Sequence, residues 1–255
     1  MPETNGREDD GVLRIAMWSG PRNISTAMMR AWENRPDTEV VDEPFYACYL
    51  EATGIEHPMR DEVLAAGEKD WNRVVESLFR PLPPGRRIHY QKHMTQHMLP
   101  GAPLEWMDRV ANVFLVRHPR AVVPSYARGR NAIPDLDDLG YARQAELFER
   151  VAARSGTVPA VIDAADVLED PRRTLTALCD VLGIAFDERM LEWPPGPRPS
   201  DGVWAPHWYA SVWQSTGFAR PRPLPEPSPE LLPVIEAALP FYERLSSHRL
   251  RARER

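Results

Sequence analysis

Cysteine is nearly absent: Cys48 and Cys179 are the only two in 255 residues. That excludes a disulfide framework and fits a reducing compartment. Long apolar runs are missing too, since no stretch approaches the roughly eighteen apolar residues of a membrane-crossing helix. Met1 to Gly11 is polar and acidic, without the apolar centre of a signal peptide. A soluble, cytoplasmic protein with no membrane partner is expected. Surplus positive charge is also lacking. The formal net charge is -6, which gives no global attraction to nucleic acid, so any bound anion must be held by a local basic cluster. No internal repeat occurs. With 43% hydrophobic residues, a chain of this length buries about three quarters of its unfolded surface in one core. One domain over residues 1–255 is expected, with 1–11 flexible and a solvated basic tail at 249–255.

What is present is organised around Leu13 to Arg30. Leu13, Ile15 and Met17 alternate with Arg14, Ala16 and Trp18, and the run stops at Ser19-Gly20-Pro21. This predicts a buried strand running into a turn. Ala27, Met28, Ala31 and Trp32 then fall at helical spacing, with Asn23 and Ser25 as candidate caps. Strand, turn and helix in that order put free N–H groups and a positive dipole end at the carboxyl edge of a sheet, an arrangement that binds phosphate. The turn is not an ATP-type P-loop. Laid over Gly20, that motif puts Ser25 at its second glycine and Thr26 at its lysine. Arg22, which can grip an anionic oxygen bidentately, and the hydroxyls of Ser25 and Thr26 equip the loop instead for phosphate or sulfate without obligatory magnesium.

Gly20-Pro21-Arg22-Asn23-Ile24-Ser25-Thr26 resembles the 5′-phosphosulfate loop of sulfotransferases. Those enzymes use 3′-phosphoadenosine 5′-phosphosulfate on a P-loop-like α/β fold. A second segment carries the same resemblance. Asn112 to Val116 reads as a strand buried on both faces, and it stops at Arg117-His118-Pro119-Arg120 before helical spacing resumes at Ala121, Val122, Ser125 and Tyr126. Arg117 and Ser125, eight apart, match the family's 3′-phosphate element, with His118 in place of its usual acid or amide. A nucleotide with phosphate at both ends needs two anion sites, and this chain offers one at each of two strand-to-helix junctions. ATP lacks the 3′-phosphate and has little use for the second.

Candidates for proton transfer lie between these segments. Thr38 to Val41 reads as a short strand leading to Asp42-Glu43-Pro44-Phe45, where Pro44 keeps Glu43 out of a helix. Glu43 is a surface acid before a proline or, as the resemblance to the family's Glu-Pro segment implies, the base that takes a hydroxyl proton. Ile88 and Tyr90 mark a further strand ending near Lys92-His93. The family's Lys-x-His motif implies that Lys92 stabilises the leaving phosphate and that His93 is an alternative base, although here the two are adjacent. His89, His93 and His97, four apart, also raise a zinc site, but no Glu completes a catalytic HExxH pair; polar loop residues are the plain reading of His93 and His97.

Downstream, Leu136 to Arg154 reads as one amphipathic helix, Val158 to Asp163 as a strand, and 229–245 as a last helix. Residues 193–229 are rich in Pro and Trp, too apolar for a free linker, and are expected to fold over the site. Within them Ser215-Thr216 resembles the family's segment that closes on the 3′-phosphate. The whole resemblance implies a three-layer P-loop-like α/β fold with a mostly parallel sheet. It implies transfer of a sulfuryl group from 3′-phosphoadenosine 5′-phosphosulfate to a hydroxyl or amine of a small-molecule acceptor, with no metal. Arg22, Asn23, Ile24, Ser25, Thr26, Arg117, Ser125, Ser215 and Thr216 would hold the donor, and Glu43, Lys92 and His93 would act on the chemistry. A nucleotide kinase or hydrolase, and a non-catalytic nucleotide-binding module, stay open beside it, as does a homodimer.

Overall fold

The computed structural model describes residues 10–251. Most of the N-terminal stretch expected to be flexible, and the last four residues of the basic tail, lie outside them. Five strands, β1 (Leu13–Ser19), β2 (Thr38–Asp42), β3 (Ile88–Met94), β4 (Ala111–Val116) and β5 (Ala160–Asp163), form one sheet in the order β2-β3-β1-β4-β5. Every pairing is parallel, so all five carboxyl ends meet at one edge. β1 lies between β3 and β4, and the chain winds away from it in both directions. That switch point is where open α/β sheets form a crevice.

The connecting helices, in chain order, are α1 (Ser25–Glu33), α2 (Tyr46–Thr53), α3 (Arg60–Ala66), α4 (Trp71–Leu78), α5 (Pro119–Arg130), α6 (Leu136–Leu139), α7 (Tyr141–Ser155), α8 (Ala164–Glu169), α9 (Pro171–Val181), α10 (Ala205–Trp208), α11 (Ala210–Trp213) and α12 (Leu232–Ser246). They cover both faces of the sheet. Ile15 and Met17 of β1 pack with Met28 and Trp32 of α1 and with Leu175 and Leu178 of α9. Ala16 and Trp18 point the other way, into Leu78 of α4, Phe148 of α7 and Leu245 of α12. The period of two along β1 therefore feeds two cores, and the fold is the three-layer α/β arrangement.

Some elements differ from their expected form. The helix expected over 136–154 is two, broken at Gly140, whose φ of 68° is left-handed and where a Cβ would lie 2.6 Å from Thr95 Oγ1. α2 has little periodicity and was not anticipated. The basic tail does not begin as a solvated strand end: Arg249 bridges Val161 of β5, and the Leu250 N–H donates to the Val161 carbonyl at 2.8 Å. No helix among the described residues is long and apolar enough to cross a membrane.

Candidate active site

The loop after β1 is shaped by close approach and by unusual backbone. A Cβ at Gly20 would sit 2.5 Å from the Leu139 carbonyl oxygen, so only glycine fits. Arg22 and Ile24 both take left-handed φ, 58° and 53°, a conformation that costs non-glycine residues of order 1 kcal/mol each. Neither Asn23 nor Ser25 caps α1. Ile24 stands at the cap position with no side-chain hydrogen bond, and the N–H groups of Ser25, Thr26 and Ala27 find no acceptor among the described residues. Asn23, 2% exposed, instead turns its amide inward and donates to the Leu115 carbonyl of β4 at 2.8 Å. That bond fastens the loop, while the Asn23 Oδ1 has no hydrogen-bond partner among the described residues and the residue borders the cavity. The uncapped first turn, the left-handed residues and the hydroxyls of Ser25 and Thr26 all border one cavity.

Arg117 reaches that cavity from the end of β4. Its Nη1 donates to the backbone carbonyl of Arg22 at 2.7 Å, while Arg22 Nε donates to Ser125 Oγ on α5 at 2.9 Å. The two expected anion pockets are therefore one connected cluster, because β1 and β4 are neighbours with Ser19 level with Leu115. Among the described residues neither guanidinium has a carboxylate within ion-pair distance. Burial lowers both pKa values; Arg128 adds to the effect on Arg22, and Arg22 adds to it on Arg117. His118 takes over the capping role of an acid or amide, its Nδ1 accepting from the Arg120 N–H at 3.1 Å.

On the β2 and β3 side lies a buried ionic network. Lys92 is level with Asp42 in the parallel register and is 1% exposed. Its ammonium donates to Asp42 Oδ1 at 2.8 Å, Glu43 Oε1 at 2.5 Å and the Tyr209 hydroxyl at 2.7 Å. All three of its protons are used, so Lys92 has none left for a leaving phosphate. The Tyr209 hydroxyl donates to Asp42 Oδ2 at 2.7 Å and accepts from Trp204 Nε1 at 3.1 Å. Burial works against the Lys92 charge, but the two carboxylates outweigh it and hold the pKa well above its ordinary value. Burial raises the Glu43 carboxyl, with Asp42 adding to the rise and Lys92 opposing it. Glu43 also has left-handed backbone, φ 43°. It is a carboxylate on the cavity wall, oriented through one oxygen by Lys92 and more basic than usual.

Two expected residues, His93 and Thr216, lie away from the cavity, and a third, Ser215, reaches it with its hydroxyl already bonded. His93 is 2% exposed, stacks on Trp18 with ring centroids 4.6 Å apart, and is pushed down to about 3 by burial and then by His89. It faces the core, because alternation along β3 sends His93 away from the side that Lys92 occupies. Ser215 borders the cavity, but its hydroxyl already accepts from Trp193 Nε1 and donates to the Val212 carbonyl. Thr216 borders a separate shallow groove beside Trp193 and Pro194. The three spaced histidines do not converge: His89 meets the Leu78 carbonyl, His93 meets Trp18, and His97 stacks on Tyr46. Among the described residues no three His, Cys, Asp or Glu side chains could jointly hold a metal ion.

The cavity, about 300 Å³, spans the carboxyl edge of the sheet from β2 to β4 and is roofed by the Pro- and Trp-rich strap. Several bonds fasten the strap. Asp201 takes a buried ion pair from Arg30 of α1 at 2.5 Å and a hydrogen bond from Trp213 Nε1, and Tyr209 closes the Lys92 network. Asp42, Asp138 and Tyr209 belong to the site and carry no sequence pattern of their own, while His97 stood out only through its spacing from His89 and His93. Only the adjacency of Asp42 to Glu43 hinted at one of the other three.

The chain matches the sulfotransferase domain family over residues 13–249 and belongs to it. Among solved structures it is similar to the sulfotransferase domain of the Synechococcus PCC 7002 olefin synthase, with a TM-score of 0.55 and 17% identity over 94% of this chain and 98% of that one. It is also similar to a sulfotransferase from Alicyclobacillus acidocaldarius, with a TM-score of 0.57 and 14% identity over 94% and 97% of the two chains. At such identities these two likenesses concern the fold. Branched-chain-amino-acid aminotransferase-like proteins 1 and 2 of Arabidopsis thaliana are 41% and 37% identical over 235 residues, 92% of this chain. The chain spans about two fifths of the length of these curated relatives, 42% and 41%.

Proposed function

We propose that this chain transfers a sulfuryl group from 3′-phosphoadenosine 5′-phosphosulfate to a hydroxyl of a small acceptor. The observation that carries the reading is the cavity itself: two arginines without carboxylate partners and a mostly buried carboxylate line the same walls. Family membership supports it. Arg22, the hydroxyls of Ser25 and Thr26 and the open N–H groups of α1 receive the 5′ end, while Arg117 and Ser125 receive the 3′-phosphate. Leu168, Val212 and Ala219 offer apolar surface for the purine between them.

Glu43 accepts the acceptor's hydroxyl proton as that oxygen bonds to sulfur and the bond from sulfur to the phosphate oxygen breaks. Arg22 and the α1 N–H groups take up the charge gathering on the leaving phosphate. Catalysis then rests on positioning and preorganised charge, as in phosphoryl transfer. Lys92 acts at one remove by fixing Glu43. A kinase reading is disfavoured, since the loop has Thr26 where an ATP-type loop has lysine, and Lys92 is fully engaged by Asp42, Glu43 and Tyr209.

Calorimetry with 3′-phosphoadenosine 5′-phosphate, AMP and ATP tests the reading without the acceptor. The bisphosphate should bind about 10- to 100-fold tighter than AMP, the worth of one charge-assisted contact set. Equal affinity for the bisphosphate and AMP, or tighter magnesium-dependent binding of ATP, would overturn it.

A further inference from the structure

The two sides of the cavity differ in charge, and the side near β2 and β3 is the unusual one. Rings of Tyr46, Tyr49, Tyr126 and Trp208 border it together with the imidazoles of His57 and His97. His97 is 3% exposed and stacks on Tyr46 and Tyr49, with ring centroids 4.6 and 4.9 Å away. Its Nδ1 has no hydrogen-bond partner. Neither imidazole brings charge at neutral pH, since burial pushes His57 down to about 4 and His97 well below its ordinary value.

Two carboxylates border the same region, Glu43 and Asp138. Asp138 accepts from the Asp135 N–H at 3.2 Å within the α6 capping box, and among the described residues no Lys or Arg lies within ion-pair distance of it. Its charge is felt by Tyr49 and Tyr126. The cations nearby make no contact with Asp138, although the charge of Arg130 acts on it from behind the wall. Lys92 is fully engaged, and Arg130 donates to the Glu56 carbonyl outside the lining. Trp208 closes the region from the strap, packing where a Cβ at Gly129 would come within 3.0 Å of its ring.

A wall of electron-rich faces and a carboxylate with no cation in contact, next to a wall of arginines with no carboxylate in contact among the described residues, suits a ligand pair of opposite charge. Resting on the transfer reading above, we infer that the acceptor is a hydroxylated ammonium compound, an amino alcohol. Its cation lies beside Asp138 and the faces of Tyr126 and Trp208, its hydroxyl faces Glu43, and His97 offers an uncharged nitrogen along its length. An anionic acceptor is repelled by the two carboxylates, and an uncharged one leaves Asp138 without a cation in contact.

Calorimetry on the chain saturated with 3′-phosphoadenosine 5′-phosphate reads this without turnover. The probes are ethanolamine and choline, their uncharged isosteres propanol and dimethylbutanol, and the anion glycolate. The cations should bind at least about tenfold more tightly than their isosteres, with glycolate weakest. Asp138→Asn keeps an acceptor for the Asp135 N–H; it should erase the difference while the bisphosphate affinity stays within about twofold, since the side-chain bonds that hold Arg22, Arg117 and Ser125 do not run through Asp138. Equal binding of cations and isosteres, no binding of either cation at millimolar concentration, or an Asp138→Asn variant that keeps the preference would each overturn the inference. Bisphosphate binding measured first separates the two readings: its absence sinks the transfer function, whereas its presence with indifference to acceptor charge sinks only the acceptor class.

Discussion

Arg117 donates a 2.7 Å hydrogen bond to the carbonyl of Arg22, a residue held in left-handed backbone. The end of β4 thus braces the loop after β1, and the guanidinium that faces one anion shapes the cradle for the other. Donor binding should therefore be cooperative between the two positions, and each should be costly to lose.

Replacing Arg117 by Ala removes both a cation and the brace. We expect the affinity for 3′-phosphoadenosine 5′-phosphate to fall by about 10- to 100-fold, the range for a hydrogen bond to a charged group. Arg117→Lys should recover little, because an ammonium does not reproduce the planar fork that meets a carbonyl and a phosphate together. Titration calorimetry decides it; an unchanged dissociation constant for both variants would remove Arg117 from the site.

Glu43→Gln should lower kcat by about 10²- to 10⁴-fold, the usual worth of a general base, with donor affinity kept. Glu43 works unprotonated, and its pKa is raised above the ordinary 4.5. Turnover should therefore fall with pH at a limb above the usual carboxylate range, and that limb should vanish in the Gln variant. Tyr209→Phe removes a hydrogen bond that lowers the Glu43 pKa, so its acid limb should move upward while donor KM holds. A limb that stays put in Tyr209→Phe would show that the network does not tune Glu43.

Acid should destabilise this fold through its buried imidazoles. His89 and His57 are pushed down to about 4 and His93 to about 3, each mainly by burial, from an ordinary 6.5. Above pH 6.5 these imidazoles are neutral in both states. As pH falls below it the unfolded chain gains protons that the folded one refuses, and stability drops until the folded values are reached. A tenfold difference in proton affinity between the two states is worth about 1.4 kcal/mol, so the loss should reach several kcal/mol between pH 6.5 and 4. Denaturant midpoints across that window measure it. His93→Phe, which keeps a ring on Trp18, should flatten the slope and retain turnover; loss of turnover would restore His93 as a candidate base.

Asp201→Ala should leave Arg30, 1% exposed, charged and buried without its main partner. Breaking such a pair costs about 3–5 kcal/mol, and Arg30→Met with Asp201→Leu should recover most of it. Chemical denaturation of the single and double variants checks both statements. A mild effect in the single variant would mean that the strap opens readily in solution.

The linear pattern already contained the strands and the anion loop. Alternation in Leu13 to Trp18 and the apolar run of Asn112 to Val116 are local properties of backbone and side chain. The Gly20 turn and the Arg117 to Ser125 spacing are equally local as sequence, since each marks one strand-to-helix junction, although the bonds that join the two junctions are tertiary. Asn23 shows the boundary of that kind of reasoning, as its residue type fits a cap and only the neighbouring β4 carbonyl draws its amide away from α1.

What the tertiary structure alone decided is which distant groups meet. Lateral strand order is not written in any one segment, so the pairing of β2 with β3 that puts Lys92 against Asp42 could not be read. The seating of the strap that adds Tyr209 to them was equally hidden. Side-chain alternation then chose between two adjacent residues, turning Lys92 to the cavity side and His93 into the core. The chemistry of this site depends on burial and charge contributed by segments some 50 to 170 residues apart. Such sums are set by packing, whereas the residue types and spacing of the cradles that flank them stand in the chain's own sequence.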